Sequence, residues 1–396
     1  MPSVAEREEL AAWLRLTMTS GVGNDSARKL LAAFGLPQAI FQQSAAALRQ
    51  VVTDRQASAL TKEPPKLEEQ LQLTLDWLAG QENGPARRIV TLGDPGYPES
   101  LLTIEDPPLM LYLLGGRPAS GSDGLAQQPV TRPSRSLAIV GSRNPTPQGK
   151  LNAHQFAHAF AKAGLTVVSG LALGVDAAAH EGALEGGQQS EGADPGAPIT
   201  IAVIGTGIDR VYPRQHLDLA HRIARHGLIV SEYPVGTSPL PGNFPKRNRL
   251  ISGLAQGTLV VEAALQSGSL ITARLASEQG KEVFAIPGSI HGTQSRGCHA
   301  LIKQGAKLVE SAQDVLEELR WPTTASFTVT PPPPATGTAD DSGLLMALGA
   351  DPASLDALQA RTGLPTATLQ ARLLELELDG RVGRLPGGLF QRLGHA

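Results

Sequence analysis

The stretch LAIVGSRNPTPQGKLNAHQFAHAFAKAGLTVVSGLALGVD, residues 137–176, decides the fold class of this chain. It opens with an apolar run that ends in a glycine turn, continues as a helical segment through His154–Ala163, and returns to a second apolar run that ends in glycine. Apolar strands that alternate with helices are typical of a parallel sheet with helices on both faces. The pattern therefore predicts an α/β, Rossmann-like domain.

The alternation continues beyond residue 176. A helix is expected at Ala177–Glu185, and four more strands are expected in TIAVIGTGID (200–209), LIVSEYP (228–234), GTLVVEAAL (257–265) and EVFAIPG (282–288). A polar insert, GGQQSEGADPGAP, separates the helix from the first of them. We expect the Rossmann-like core to span residues 136–321.

Four further segments flank this core. Leu10, Trp13, Leu14 and Met18 recur at helical spacing, and the last 55 residues combine three helices with a hairpin, which is the winged-helix pattern. The predicted segments are an N-terminal helical module (1–84), short strands and a connector (85–135), a proline-rich linker (322–342) and a winged-helix module (343–396).

The N-terminal module contains a Gly-Val-Gly turn at residues 21–23. This turn resembles the hairpin of helix–hairpin–helix modules, in which backbone N–H groups hold a DNA phosphate. A tight turn between two packed helices explains the same residues, and for a single copy it is the favoured interpretation.

Bulk composition narrows the possible classes of function. The chain has 396 residues, a formal net charge of −3 and a single cysteine, Cys298, which excludes an internal disulfide framework and a cysteine-rich metal site. The charged N-terminus lacks the apolar core of a signal peptide, and no apolar run reaches about 18 residues. We expect a cytoplasmic protein with no membrane span. Any nucleic-acid site must carry its positive charge locally.

Three predicted strands end in small residues at one edge of the sheet, where parallel sheets bind anions. Glycine lets a phosphate approach the backbone, serine donates a hydrogen bond, and arginine offers a planar fork of donors. Basic residues in loops after the later strands are expected to return to this edge, and an aromatic ring there would stack a base. The candidate DNA-binding residues are Gly141, Ser142, Arg143, Ser169, Gly170, Gly205, Gly207, Arg210, Arg214, Phe244, Lys246, Arg247, Asn248 and Arg249.

The core resembles the DNA-processing protein A family (DprA, also called Smf). The matching motifs occur in one order and cover most of residues 93–320: GDPGYPESL (93–101), IVGSRNPTPQG (139–149), SGLALGVDAAAHEGAL (169–184), AVIGTGIDRVYPRQH (202–216), the long stretch 231–288 and GCHALIKQGAKLV (297–309).

This resemblance implies single-stranded DNA binding, a homodimer through the Rossmann-like domain, and loading of the RecA recombinase during natural transformation. It places family DNA contacts on Arg143, Arg214 and Phe244. Pro241 stands where some relatives carry a basic residue, so one phosphate contact is either missing or supplied by Lys246 instead.

Rival functions rest on fewer residues. Gly253, Gly257, Thr258 and Glu262 partly match the PGGxGTxxE motif of lysine-decarboxylase-like nucleotide hydrolases, and a pure protein-interaction module is a third possibility. GTGIDR at 205–210 is not the dinucleotide fingerprint, so we expect no cofactor.

Several acidic and metal-ligating residues also admit an enzymatic interpretation. Asp176 and His180 lie four apart on a helix without a third metal ligand nearby in sequence, and Glu232 and Glu262 each follow a strand. Structural roles are favoured for all four, and a nucleophilic role for Cys298 is disfavoured. We therefore expect a protein that is not an enzyme and binds no metal.

The third helix of the C-terminal module, TATLQARLLELELDG, carries Glu375, Glu377 and Asp379 against one arginine. Acidic side chains repel phosphates, so this helix is poorly suited to a duplex groove. We interpret the module as a protein-contact or packing element.

Overall fold

A computed structural model of the chain describes residues 3–80, 84–116, 135–190, 197–321, 339–349, 352–385 and 387–394. The predicted connector (117–135) and proline-rich linker (322–342) lie almost wholly outside these residues. At the end of the second one, residues 339–342 already belong to a helix.

The helices are numbered in chain order. They are α1 (Val4–Met18), α2 (Asn24–Phe34), α3 (Pro37–Phe41), α4 (Ala45–Leu48), α5 (Asp54–Leu60), α6 (Leu67–Ala79), α7 (Glu99–Leu102), α8 (Pro147–Lys162), α9 (Val175–Gly187), α10 (Leu217–His226), α11 (Asn243–Leu254), α12 (Ser269–Glu278), α13 (Arg296–Lys303), α14 (Ala312–Glu318), α15 (Ala339–Leu348), α16 (Leu355–Thr362) and α17 (Thr366–Leu378).

The strands are numbered in the same way. They are β1 (Arg87–Thr91), β2 (Met110–Gly115), β3 (Ser136–Val140), β4 (Thr166–Ser169), β5 (Thr200–Val203), β6 (Leu228–Ser231), β7 (Gly257–Val260), β8 (Glu282–Ala285), β9 (Lys307–Leu308), β10 (Ala353–Ser354), β11 (Val382–Leu385) and β12 (Leu389–Arg392). Short 3-10 turns cover Arg214–His216 and Thr293–Ser295.

The chain forms two compact units. The first unit contains residues 1–136 and 194–256, and the second contains residues 137–193 and 257–396. Each unit is described separately.

In the first unit, the N-terminal helices enclose a core around Trp13, which is 1% exposed, and this core extends to Leu109 and Met110 at the start of β2. The strands follow the order β1-β2-β6-β5. Only β5 and β6 are parallel, because β1 pairs with β2 and β2 with β6 in antiparallel register. The sequence predicts a parallel sheet, and the antiparallel strands β1 and β2 make it a mixed one.

The second unit holds the predicted parallel arrangement, with strand order β4-β3-β7-β8-β9. β3 pairs in parallel with β7, and β7 pairs in parallel with β8. Helices α8 and α9 pack closely, because Gly182 and Gly186 of α9 face the backbone carbonyls of His154 and His158 of α8. Any larger side chain at either glycine would collide with α8.

The C-terminal module of the second unit has the predicted winged-helix composition. Helices α15–α17 and the sheet β10-β12-β11 enclose a core that includes Leu358, Leu373 and Phe390. The hairpin rests on the first turn of α8, where Gly383 packs on Pro147. Gln148 and Gly394 exchange hydrogen bonds of 2.7 and 2.6 Å.

Among the residues that the structure describes, no helix is long and apolar enough to cross a membrane.

Candidate nucleic-acid interface

An aromatic pair lies beyond the carboxyl end of β5 in the first unit. The ring centroids of Tyr212 and Phe244 are 5.4 Å apart, and Tyr212 is 49% exposed. Phe244 also covers Gly205, where a Cβ atom would lie only 2.9 Å from its Cδ1 atom. Glycine at 205 therefore leaves room for the ring of Phe244 at the strand end.

Local hydrogen bonds position Phe244 at the start of α11. The Asn243 side-chain amide donates to the Gly205 carbonyl at 3.1 Å, and the Tyr233 hydroxyl donates to the Asn243 carbonyl at the same distance. Pro245 is accommodated because the N–H groups of a first helical turn have no intrahelical partner. The sequence interpretation of residues 245–249 as a loop is therefore wrong, since these residues form the first turns of a helix.

Three exposed cations lie two residues in sequence from a member of the aromatic pair. Lys246 follows one turn into α11, Arg214 begins the 3-10 turn after Tyr212, and Arg210 lies in the loop between them and β5. Arg210 is 49% exposed and its Nε lies 3.6 Å from the carboxylate of Asp209. These three side chains supply the local positive charge that a net acidic chain needs for anion binding.

Two other arginines of α11 point into the protein. Arg247 is 4% exposed and donates to the Val203 carbonyl at the end of β5. Arg249 is 8% exposed and binds both carboxylate oxygens of Glu232 at 2.6 Å. Both guanidinium groups thus form contacts inside the fold, although the sequence analysis predicts that they contact phosphates. Asn248, between them, is half-buried.

The backbone of Gly207 is packed tightly inside the turn after β5. Its N–H group donates to the Thr237 carbonyl at 2.9 Å, and a Cβ atom would meet the Pro234 carbonyl at 2.7 Å. The turn after β5 is closed further by the Thr206 hydroxyl, which donates to the Arg210 carbonyl at 2.8 Å. These hydrogen bonds fix the backbone of the turn that carries Arg210.

In the second unit, Gly141, Ser142 and Arg143 follow β3 as predicted. The Ser142 hydroxyl accepts a hydrogen bond of 3.1 Å from the Asn144 N–H group, and Arg143 is exposed. Gly174 has a φ of 81° and packs against the carbonyls of Ser142 and Arg143. Only glycine fits there, because a Cβ would be strained by φ and blocked by both carbonyls.

Glu262 fixes the entry to α8 in the second unit. Its carboxylate accepts hydrogen bonds from the Thr146 N–H group at 2.8 Å and the Thr146 hydroxyl at 2.6 Å, while that hydroxyl also caps Gly149. Burial raises the pKa of the Glu262 carboxyl, and the bonds from Thr146 oppose this shift. The geometry fits the bracing role expected from the sequence.

Ser169 and Gly170 follow β4. The Ser169 hydroxyl is fully buried and donates to the Ile139 carbonyl at 2.6 Å, so it joins neighbouring strands. Leu171 adopts a left-handed φ of 60° and is buried. Strained non-glycine residues concentrate at functional sites. Nothing in the sequence marks this one, because a leucine in the left-handed region is not expected.

The remaining candidate chemical groups are buried. Asp176 and His180 are 7% and 0% exposed, and the Asp176 carboxylate accepts from the Ala172 N–H group at 3.3 Å. Burial raises the pKa of the Cys298 thiol to about 12. Within the described ranges, no group of three histidine, cysteine, aspartate or glutamate residues is arranged to hold a metal ion.

The fold and the surface beyond β5 define an α/β protein with a winged-helix module and an aromatic surface bordered by cations. Residues 88–320 match the family model described as DNA recombination-mediator protein A, and residues 328–388 match the DprA winged helix domain. The chain therefore belongs to the DNA recombination-mediator protein A family.

Some similar proteins match nearly the whole chain, and others match a little more than half of it. Protein Smf of Escherichia coli (strain K12) is 37% identical over 395 residues, which cover 97% of this chain and 96% of that protein. DNA processing protein DprA of Streptococcus pneumoniae is 43% identical over 228 residues, or 58% and 73% of the two chains. An X-ray structure of DprA from S. pneumoniae matches 80% of this chain and 99% of its own, with a TM-score of 0.61 and 33% identity.

Proposed function

We propose that this chain binds single-stranded DNA, with little sequence preference, on the surface formed by Tyr212, Phe244 and the exposed cations of the first unit. The observation that carries the proposal is the aromatic pair itself, which lies on a strand end with one ring about half exposed. Every base presents a π-face, so stacking on such rings tolerates any sequence. An unstacked single strand offers that face, whereas a duplex does not.

The predicted residues take different roles in this proposal. Phe244 stacks a base, whereas Arg210, Arg214 and Lys246 contact phosphates. Tyr212, which the sequence did not single out, stacks a second base beside Phe244. In the second unit, the turn Gly141–Arg143 carries a separate proposed phosphate contact, the exposed side chain of Arg143. The other predicted residues shape and support these groups: Ser169, Gly170, Gly205, Gly207, Arg247, Asn248 and Arg249.

Two finer expectations rest on the family resemblance and are proposed on that basis. The chain would act as a homodimer through its core and would load the RecA recombinase onto the bound strand. Family membership and the bracing roles of Glu232 and Glu262 favour a binding protein over an enzyme.

The test compares binding of a fluorescent oligo-dT to the full chain and to two variants at several salt concentrations. Phe244→Ala removes a stacking ring and should cost about 1–3 kcal/mol while leaving the salt dependence unchanged. Lys246→Ala should weaken binding and reduce the log–log salt slope by about 0.7, because one phosphate contact is lost. Lys62→Ala, at an exposed position of the N-terminal module, is the matched control.

Equal affinity of all four proteins would overturn the proposal. Turnover of a nucleoside monophosphate without oligonucleotide binding would favour the nucleotide-hydrolase alternative instead. Absence of both activities would favour the pure interaction module.

A further inference from the structure

The third helix of the winged-helix module, α17, carries an apolar stripe on its outer face. Ala367, Ala371, Leu374 and Leu378 are all exposed, the two leucines by 51% and 79%. The core of the module uses the other face of α17, where Leu369, Leu373 and Leu376 are buried. The exposed stripe therefore takes no part in the core of the described module.

The spacing of the stripe is that of a helix–helix seam. Its members are separated by four, three and four residues, which is the repeat of the a and d positions in a coiled coil. The two small residues occupy the first half of the helix and the two large ones the second half. A partner helix must therefore carry small side chains opposite the leucines and large side chains opposite the alanines.

We propose that α17 pairs with α17 of a second copy of this chain in antiparallel orientation. A two-fold axis between positions 371 and 374 places Leu374 against Ala371 of the other copy, and Leu378 against Ala367. Each large side chain then meets a small one, as close packing requires. A parallel pair would instead crowd leucines together and leave a gap between the alanines.

The charges of α17 favour the same orientation. Its N-cap, Pro365, makes no side-chain capping bond, and the first turn carries no acidic residue. Its last turn carries Glu375, and Asp379 follows directly. The antiparallel pair brings Asp379 beside the N-terminal turn of the other copy, where a carboxylate is stabilised by the helix dipole. A parallel pair would place acidic ends together.

The contact is small, so pairing through it alone is weak. A 13-residue helix is about 20 Å long, and a seam of that length falls below the roughly 1,200 Å² of buried surface typical of stable interfaces. The pairing is accordingly tested by covalent trapping of the full chain at tens of micromolar. It does not depend on the proposed DNA binding.

Two single-cysteine additions, Ala367→Cys and Leu378→Cys, discriminate between the orientations. The native Cys298 is fully buried with a raised thiol pKa, so it does not compete under mild oxidation. In the antiparallel register, position 367 faces 378 of the other copy, whereas two copies of position 367 lie about 16 Å apart along the axis. Mixing the two variants should give a disulfide dimer many-fold faster than either variant alone.

A matched pair of charge substitutions completes the test. Leu374→Glu in both cysteine variants should abolish the mixed disulfide, whereas Ala360→Glu, at an exposed position on α16, should leave it unchanged. No mixed dimer, a mixed dimer no faster than the self-dimers, or trapping that survives Leu374→Glu would each overturn the proposal.

Discussion

Arg249 and Glu232 form a two-pronged ion pair, with hydrogen bonds of 2.6 Å from each guanidinium Nη atom to a separate carboxylate oxygen. Arg249 lies on α11 and Glu232 directly follows β6. Nε of Arg249 also donates to the Asp106 carbonyl at 2.8 Å, and Asp106 in turn accepts from Arg28 of α2 at 3.1 Å. The pair thus holds the helix that carries Phe244 against the strand end and links it to the N-terminal helices.

The first prediction concerns the stability of this pair. Glu232→Gln removes the negative partner of a buried cation, and breaking a buried pair costs about 3–5 kcal/mol. Because Asp106 still contacts Arg249, we expect a loss of about 3 kcal/mol in the free energy of unfolding, measured by urea titration. Lys62→Ala should change that free energy by less than about 0.5 kcal/mol. A loss as small as that of the control would show that the pair contributes little.

The second prediction concerns Arg143 in the turn after β3. Arg143→Ala should weaken oligo-dT binding by about 1–3 kcal/mol, the range for a charge-assisted hydrogen bond. The log–log salt slope should fall by about 0.7 if one phosphate contact is lost. Fluorescence anisotropy at several salt concentrations measures both quantities. Unchanged affinity in a folded variant would show that Arg143 does not contact the strand.

The third prediction is that the winged-helix module is dispensable for binding a single strand. Its third helix is acidic, and the aromatic pair lies in the other unit. A chain truncated at Pro331, inside the predicted linker, should keep its oligo-dT affinity within about 0.5 kcal/mol. Circular dichroism checks that the shortened chain is folded. Loss of most of the affinity at equal folding would assign DNA contacts to the module.

The fourth prediction concerns dimerisation through the core. Two copies related by a two-fold axis would double the phosphate contacts available to one strand. Sedimentation equilibrium at micromolar concentration should give a dimer mass for the full chain and also for Leu374→Glu, which removes the proposed pairing of α17. A clean monomer mass with undiminished affinity for long oligonucleotides would reject the dimer and the recombinase-loading proposal that depends on it.

The fifth prediction concerns pH and Glu262. Its pKa is raised above the ordinary value of 4.5 by burial, so the folded chain binds more protons than the unfolded chain in the window just above that value. The Glu262 contribution to the free energy of unfolding is therefore fully present below about pH 4.5 and is lost as the pH rises through the raised pKa. Urea titrations across this window should show a shallower decline for Glu262→Gln. An identical slope would assign the pH dependence to other groups.

The strand–helix alternation made the α/β core and the winged-helix module predictable, because apolar periodicity follows secondary structure directly. The antiparallel strands β1 and β2 were recognised as strands, but the pairing of β2 with β6 was not, since pairing partners leave no local signal. Residues 245–249 were misread because proline and clustered charges suggest a loop, although proline suits a first helical turn.

The burial of Arg247 and Arg249 had no sequence signal either. Arginine is normally exposed, and partners distant in sequence, among them Glu232 for Arg249 and the Val203 carbonyl for Arg247, explain why these two are not. Tyr212 was missed as a stacking residue because it meets Phe244 only after the intervening strand has folded. The features of the site that could not be predicted from sequence patterns are therefore contacts between residues distant in sequence.

The close packing of α8 on α9 has a dynamic consequence. Because Gly182 and Gly186 bring the two backbones into direct contact, neither helix can unfold or tilt without disturbing the other. Such segments open together as one cooperative unit. Amide hydrogens in the middle of both helices should therefore exchange with deuterium at matching, slow rates, and a single Gly182→Ala substitution should speed exchange in α8 as much as in α9.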